Sequence, residues 1–329
     1  MSPLVEDYPR TLAEFEARFA TEIACRTYLA QLRWPDGFRC PNCGGAPSWP
    51  VRGVLWQCVG CGRQTSVTAG TVFQDTRTPL TAWFRAMWWV TNSKAGTSAL
   101  TLQHLLGLGS YQTAWAWLHK LRRAMVRPGR ERLSGDVEVD ETLLGGLGGA
   151  QGRSTATKAL IVVAAEVVGR GTGRIRMRRI ADGSAPTLQA FVEDAIERGS
   201  TVHTDGWDGY ERVKSNGYRH RVSFLHGHPE IASEQLPRVH RVVSLLKRWL
   251  LGTHQGAVSR AHLAYYLDEF TFRFNRRTSR HRGKLFYRLV QQAVAVDPAP
   301  YRSIVKNIRR RSPRRRRRTT TNSGPRRRT

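Results

Sequence analysis

Four of the chain's five cysteines fall into two C-x2-C pairs, Cys40/Cys43 and Cys58/Cys61, with 14 residues between the pairs. Glycine follows each pair (Cys43-Gly44-Gly45 and Cys61-Gly62), so each can form a tight knuckle that aims two thiolates at one point. Four thiolates make the closed tetrahedral site of structural zinc, with Zn–S near ~2.3 Å and no position open for water. An iron–sulfur cluster is the alternative occupant of the same donors. Cysteines at this spacing read as metal ligands in a reducing compartment and not as a disulfide framework. Cys25 stands apart and reads as a buried helix residue.

A module held by one ion is small, and 329 residues leave room for two or three domains. The formal net charge is +28, and the commonest acceptor for such a field is nucleic acid. Eleven of those charges are arginines between Arg309 and Thr329. Without them the remainder still carries +17, so the basicity belongs to the folded part as well. Hydrophobic residues make up 40%, enough for an ordinary core. No apolar run approaches the roughly 20 residues that span a bilayer, and no apolar signal segment follows acidic Glu6 and Asp7. These features favour a cytoplasmic, nucleoid-associated protein.

Apolar spacing predicts a helix over 11–33, and the Trp34-Pro35-Asp36-Gly37 break ends this N-terminal segment (1–37). The cysteine module occupies about 38–75, where a ribbon would contact DNA or dock a protein. Residues 76–128 read as short helices with breaks at 93–96 and 107–110, a pattern that suits a helix-turn-helix-like unit. Within it, Ser110–Met125 carries Gln112, Thr113, His119, Lys120, Arg122 and Arg123. These form either a groove-reading face or a plain solvated one. Trp83, Trp88, Trp89, Trp115 and Trp117 read as core.

The pattern then changes from helical to mixed. Strands are expected at Val137–Leu143, Ala159–Val168, Arg174–Ile180, Thr201–Thr204 and about Tyr218–Phe224. Helices are expected at Pro186–Arg198, from Pro237 to before Gly252, and over about Ser259–Arg276. The domain so defined runs from 129 to 290. A basic, low-complexity tail (291–329) follows, whose arginines suit sequence-blind phosphate contacts or mark a read-through end.

Phosphodiester chemistry needs divalent ions about ~4 Å apart, held by carboxylates. Carboxylates converge at the ends of neighbouring strands; Asp140 lies on a strand before the glycine-rich Gly145–Gly149, and Asp205 ends the strand Thr201–Thr204. Asp136, Glu138 and Asp208 are rivals close by. On the helix beginning at Pro237, His240, Ser244 and Lys247 fall along one edge of the stripe Val239, Val242, Val243, Leu246, Trp249 and Leu250. That edge either reaches a cleft beside the sheet or is a solvated basic flank. His203 shares a strand face with Asp205, as a neighbour of the site or a structural residue. His226 and His228 suggest a metal pair or an ordinary loop, and Asn275 with Arg273, Arg276 and Arg277 suggests a helix end facing DNA phosphate.

Asp140 in VEVDET, Asp205 in HTDGWDGY, LPRVHRVVSLLKRWLLGTHQGAVS and HLAYYLDEFTFRFNRR together resemble bacterial insertion-sequence transposases with an N-terminal zinc ribbon and a D-D-E-type catalytic domain. The likeness runs from the cysteine module to about Arg277. It implies an α/β ribonuclease-H-like core, a mixed five-stranded sheet flanked by helices, with the first acid on the first strand and the second after the fourth. The 34 residues between Asp205 and His240 match the short second spacer of these enzymes. Histidine stands where many relatives carry glutamate, giving a D-D-H-K variant. The resemblance implies metal-dependent cleavage and strand transfer, with Mg2+ or Mn2+ at Asp140, Asp205 and His240. It assigns Lys247 to a DNA phosphate, and implies double-stranded DNA (element ends and target) and a homo-oligomer in the synaptic complex as partners. His240 either binds the second ion or positions water or DNA; magnesium prefers oxygen ligands, and manganese tolerates imidazole better. A catalytically silent DNA-binding regulator of the same descent, and a ribonuclease or junction nuclease on the same fold, are the competing readings.

Overall fold

The computed structural model describes residues 6–127, 129–145, 158–223 and 232–306. The N-terminal region opens with α1 (Leu12–Arg18) and α2 (Glu22–Arg33). One helix was expected here, and the split has a local cause. Thr21 takes an extended conformation and its side chain accepts the Ala24 N–H, so it starts a second helix instead of continuing the first.

The cysteine module is a three-stranded antiparallel sheet of β1 (Ser48–Val51), β2 (Leu55–Cys58) and β3 (Gln64–Ser66). Three helices follow: α3 (Leu80–Asn92), α4 (Ala99–Leu106) and α5 (Tyr111–Ala124). Ser98 and Ser110 cap the last two with their hydroxyls.

The second layer of the molecule is a five-stranded sheet. Its strands are β4 (Asp136–Leu144), β5 (Ala159–Val168), β6 (Gly171–Arg179), β7 (Thr201–Thr204) and β8 (Arg219–Val222). The spatial order is β6-β5-β4-β7-β8. The β4–β5 and β5–β6 pairs are antiparallel, while β4–β7 and β7–β8 are parallel, so the sheet is mixed. One face is covered by α6 (Ala185–Ala195) and the 3-10 helix Asp208–Asn216, around Val137, Val139, Phe191 and Tyr210. The other is covered by α8 (Pro237–His254), which follows the short α7 (Ala232–Gln235), and by α9 (Leu263–Phe274), around Val163, Val239, Val242 and Leu246.

The chain then returns to its beginning. Helix α10 (Arg282–Ala293) buries Leu285, Phe286, Leu289 and Val290 in the core formed by α1, α2 and α3. Helix α11 (Tyr301–Val305) follows, so ordered structure extends into the segment read from sequence as a basic tail. Trp83, Trp88 and Trp117 are core residues as expected, whereas Trp89 is 39% exposed. Residues 307–329 and the His226/His228 loop lie outside the described residues.

Two of the polar residues assigned to an α5 reading face belong to the interior instead. His119 is fully buried against Trp115 and Tyr265. The buried Arg122 donates from Nε to Glu269 on α9 at 2.8 Å and stacks its guanidinium on Tyr266. Arg273, expected to face DNA, donates to the same Glu269 and to the carbonyls of Val90 and Ser93. The α3–α4 turn is also tied to α8, because Trp249 Nε1 and Thr253 Oγ1 both donate to the Ala95 carbonyl. The helical unit and the sheet domain are thus joined by a buried ionic triad and a clamped turn.

Candidate active site

On β4, alternation sends Val137 and Val139 toward α6 and Glu138 and Asp140 toward α8. Glu138 is almost fully buried, and its carboxylate accepts the N–H groups of Arg238 and Val239 at 2.7 and 3.0 Å. It therefore caps the first turn of α8, whose N–H groups have no intrahelical acceptor. Sequence offered Glu138 only as a rival catalytic acid. The structure assigns it to the cap, two residues along the strand from Asp140.

That cap fixes what comes next on both elements. His240 follows Val239, and its Nε2 lies 3.9 Å from Asp140 Oδ2. This nitrogen is buried and has no hydrogen-bond partner among the described residues. Burial, and then the charge of Lys247, holds the His240 pKa below the usual imidazole range, so the ring is neutral and able to donate a lone pair. Lys247 itself is exposed two turns further along α8.

Asp205 reaches the same place from the other side. The parallel register pairs Asp136 with Thr201 and Glu138 with His203. Just past the end of β7, Asp205 comes near enough to Asp140 for its charge to help raise the Asp140 carboxyl. Asp205 accepts the N–H of Trp207, and the indole of Trp207 donates to the Gly183 carbonyl. The turn after Asp205 is made by Gly206 at φ +86° and by Gly209, where a Cβ would lie 2.7–2.8 Å from Leu188, the Gly183 carbonyl and Trp207. His203 shares a hydrogen bond with Ser223 at the end of β8, a structural tie between the parallel strands.

Glu141 is a member of this cluster that the sequence reading passed over. It faces the α6 side, where the buried Tyr210 hydroxyl donates to its Oε2. Burial, and then the proximity of Glu141 and Asp205, pushes the Asp140 carboxyl up to about 7. Glu141 is likewise pushed up to about 7, by burial and by Asp205, against the lowering effect of the Tyr210 hydrogen bond. Its signal in the sequence was adjacency to Asp140; nothing there marked Tyr210 as its partner. Carboxyls crowd here, and the His240 imidazole nitrogen, unpartnered among the described residues, lies 3.9 Å from Asp140 Oδ2.

The cysteine cluster is equally compact. All four sulfurs lie within 4.8 Å of one another, with Cys40–Cys61 at 3.6 Å and Cys43–Cys58 at 3.5 Å. Ligands at ~2.3 Å on a tetrahedron stand about 3.8 Å apart, so the cage fits one zinc ion. The Gly44 and Gly62 N–H groups close the two knuckles onto Cys40 and Cys58 carbonyls. Hydrogen bonding from the Arg63 backbone, and then from Asn42, draws the Cys61 thiol down to about 6. Cys43, despite the lowering bond from Gly45, is pushed up to about 11 by Cys58 and Cys61 beside it. Such crowding of sulfurs is relieved when a cation sits among them. Cys25 is fully buried, and burial raises its thiol to about 12.

Among the described residues no helix is long and apolar enough to cross a membrane. Residues 132–275 match the model of the ISXO2-like transposase domain, and residues 20–64 match the transposase zinc-ribbon domain. A protein of the transposable element ISH50 of Halobacterium salinarum is 29% identical over 276 residues, which cover 78% of this chain and 91% of the relative. The two domain models lie in the order ribbon first, sheet second, over the two sites built above. In both its parts the chain is similar to the insertion-sequence transposases that carry an N-terminal zinc ribbon.

Proposed function

We propose that this transposase binds the ends of its element and performs both strand cleavage and strand transfer at Asp140, Asp205 and His240. The observation that carries the reading is the buried, unpartnered His240 Nε2 placed 3.9 Å from Asp140 Oδ2. Asp140, Asp205 and His240 would hold Mg2+ or Mn2+, and the ions supply activation of the attacking oxygen and charge stabilisation of the leaving one. Glu138 keeps α8 in register so that His240 meets Asp140, and the neutral His240 offers its lone pair without a proton to remove first. Lys247 presents a point charge to a phosphate flanking the cut. Water first attacks a phosphodiester and frees a 3′-hydroxyl; that hydroxyl then attacks target DNA, each step breaking one P–O bond as another forms.

In this reading α3–α5 form the helix-turn-helix-like unit, and the first turn of α5, with exposed Tyr111 and Gln112, approaches the groove. Two element ends brought together require a homo-oligomer. The domain limits are 1–37, 38–75, 76–128 and about 129–281, with α10 returning to the N-terminal core and the arginine-rich run following α11, and the protein works on nucleoid DNA.

The test is a nicking and joining assay on element-end DNA with Mg2+ or Mn2+, comparing wild type with Asp205→Ala and His240→Ala. Cleavage by wild type, abolished in Asp205→Ala, is expected, with His240→Glu recovering more activity in Mg2+ than His240→Ala. Tight end binding without cleavage in either ion would favour a silent regulator.

A further inference from the structure

A basic groove opens at the free β6 edge of the sheet, away from Asp140. It has a volume of about 360 Å3 and is lined by Arg127, Arg130, Arg174, Arg176, Arg276 and Arg288, with Glu131 as its one carboxylate. It continues into a second hollow of about 430 Å3 that shares Asn275, Arg276 and Arg288 and adds Arg280 and Lys284. One wall is α10 of the N-terminal core, and the other is the free edge of β6 with the end of α9.

Several of these cations are already neutralised. Arg174 is held by Glu166, Arg127 pairs with Glu131, and Arg288 and Lys284 pair with Glu6. Arg176 and Arg276 are different. Arg176 is buried and donates to the Ile175 and Glu131 carbonyls. Arg276 stacks on Phe272 and donates to its carbonyl. Neither meets a carboxylate in these contacts. Burial, and then neighbouring arginines, pushes both down to about 10. The remaining arginine, Arg130, feels Asp268 and Asp194 only as a secondary influence on its burial.

The groove is separate from the candidate active site. Arg176 pairs across the sheet with Ala164, which pairs with Val139. It therefore sits two strand spacings (about 10 Å) from the row next to Asp140 and on the opposite, α6-facing side. A phosphate bound there is not the one being cut.

We infer that this groove is a second DNA-binding surface, in which closely packed arginines with too few carboxylates clamp the backbone of duplex outside the cleaved position. Guanidinium forks match phosphate oxygens in pairs, and an elongated trough suits a strand better than a single small anion. Because its walls come from both the N-terminal core and the sheet domain, DNA seated in it spans the joint between them. The inference rests on the transposase reading only for the identity of the polyanion.

The test measures binding of a fluorescent duplex of random sequence across a salt series, for wild type, Arg130→Gln, Arg276→Gln and the double variant R130Q/R276Q. Each lost phosphate contact lowers the log–log salt slope by about 0.9, so the single variants lose about 1 and the double variant about 2. Thermal melts check folding, and the single variants carry the test if the double variant unfolds. Unchanged affinity and slope in the folded variants overturn the groove. Asp205→Ala is measured alongside: it keeps the wild-type slope but does not nick. If it nicks, the active-site reading fails while the groove stands.

Discussion

Glu269→Gln is expected to cost about 3 kcal/mol at neutral pH. Glu269 lies fully buried between Arg122 and Arg273, and despite the opposing effect of burial the two guanidiniums hold its carboxyl down to about 2. Against an ordinary value of 4.5, that difference is about 2.5 pH units, or about 3 kcal/mol of stabilisation of the charged form. An independent route gives the same size: removing one member of a buried ionic network costs about 3–5 kcal/mol because the partner charge is left uncompensated. The sign follows from the depressed value. The stabilisation is fully present above the unfolded carboxylate's pKa and is lost as pH falls toward 2. Urea unfolding of wild type and Glu269→Gln, followed by tryptophan fluorescence from neutral pH down to pH 3, reads both features. The gap between the two proteins should be about 3 kcal/mol at pH 7 and shrink below pH 4.5. A gap under about 1 kcal/mol at pH 7, or one that stays constant with pH, would refute the assignment of the triad as the joint between the two units.

Three further outcomes are expected. Purified protein should carry one equivalent of zinc and no iron absorbance, and Cys58→Ser should abolish metal binding and melt the ribbon while leaving the sheet domain folded; an iron chromophore would sink the zinc assignment. Gly209→Ala should destabilise by about 1–3 kcal/mol and lower cleavage by displacing the Asp205 turn, since a Cβ there meets the Gly183 carbonyl at 2.8 Å; wild-type stability and activity would show that the turn yields freely. Native protein should leave Cys25 unlabelled by a thiol reagent that reacts with it in urea, because burial withholds both access and the thiolate.

Much of the architecture was legible because it is written in short-range patterns. The C-x2-C spacing specified the ribbon, and Ala159–Val168 was read as a strand to the residue because a continuous apolar run between turn signals suits a strand buried on both faces. The end of β7 was legible too, which singled out Asp205, whereas Asp140 lies in the middle of β4 and not at its end. Less legible were residues whose partners are distant in sequence. Arg122 looked like a surface cation on α5, and only Glu269, 147 positions away, makes its burial possible. Arg273 was misread for the same reason. Helix α10 was read as the end of the sheet domain, but its apolar face packs against α3 and the N-terminus.

The sequence by itself determined the donors and the local elements: four thiols at knuckle spacing, one aspartate on a strand and another just past a strand end, a histidine early in a long helix. Only the tertiary structure decided which of the neighbouring acids does what. Strand alternation turns Asp140 toward α8, and the chain leaving β7 brings Asp205 near it. The α8 first turn took Glu138 as its cap, and Tyr210 took Glu141. The division is physical. Periodicity and turn chemistry act between residues a few positions apart, whereas the role of a carboxylate is set by whichever donors and charges folding brings against it.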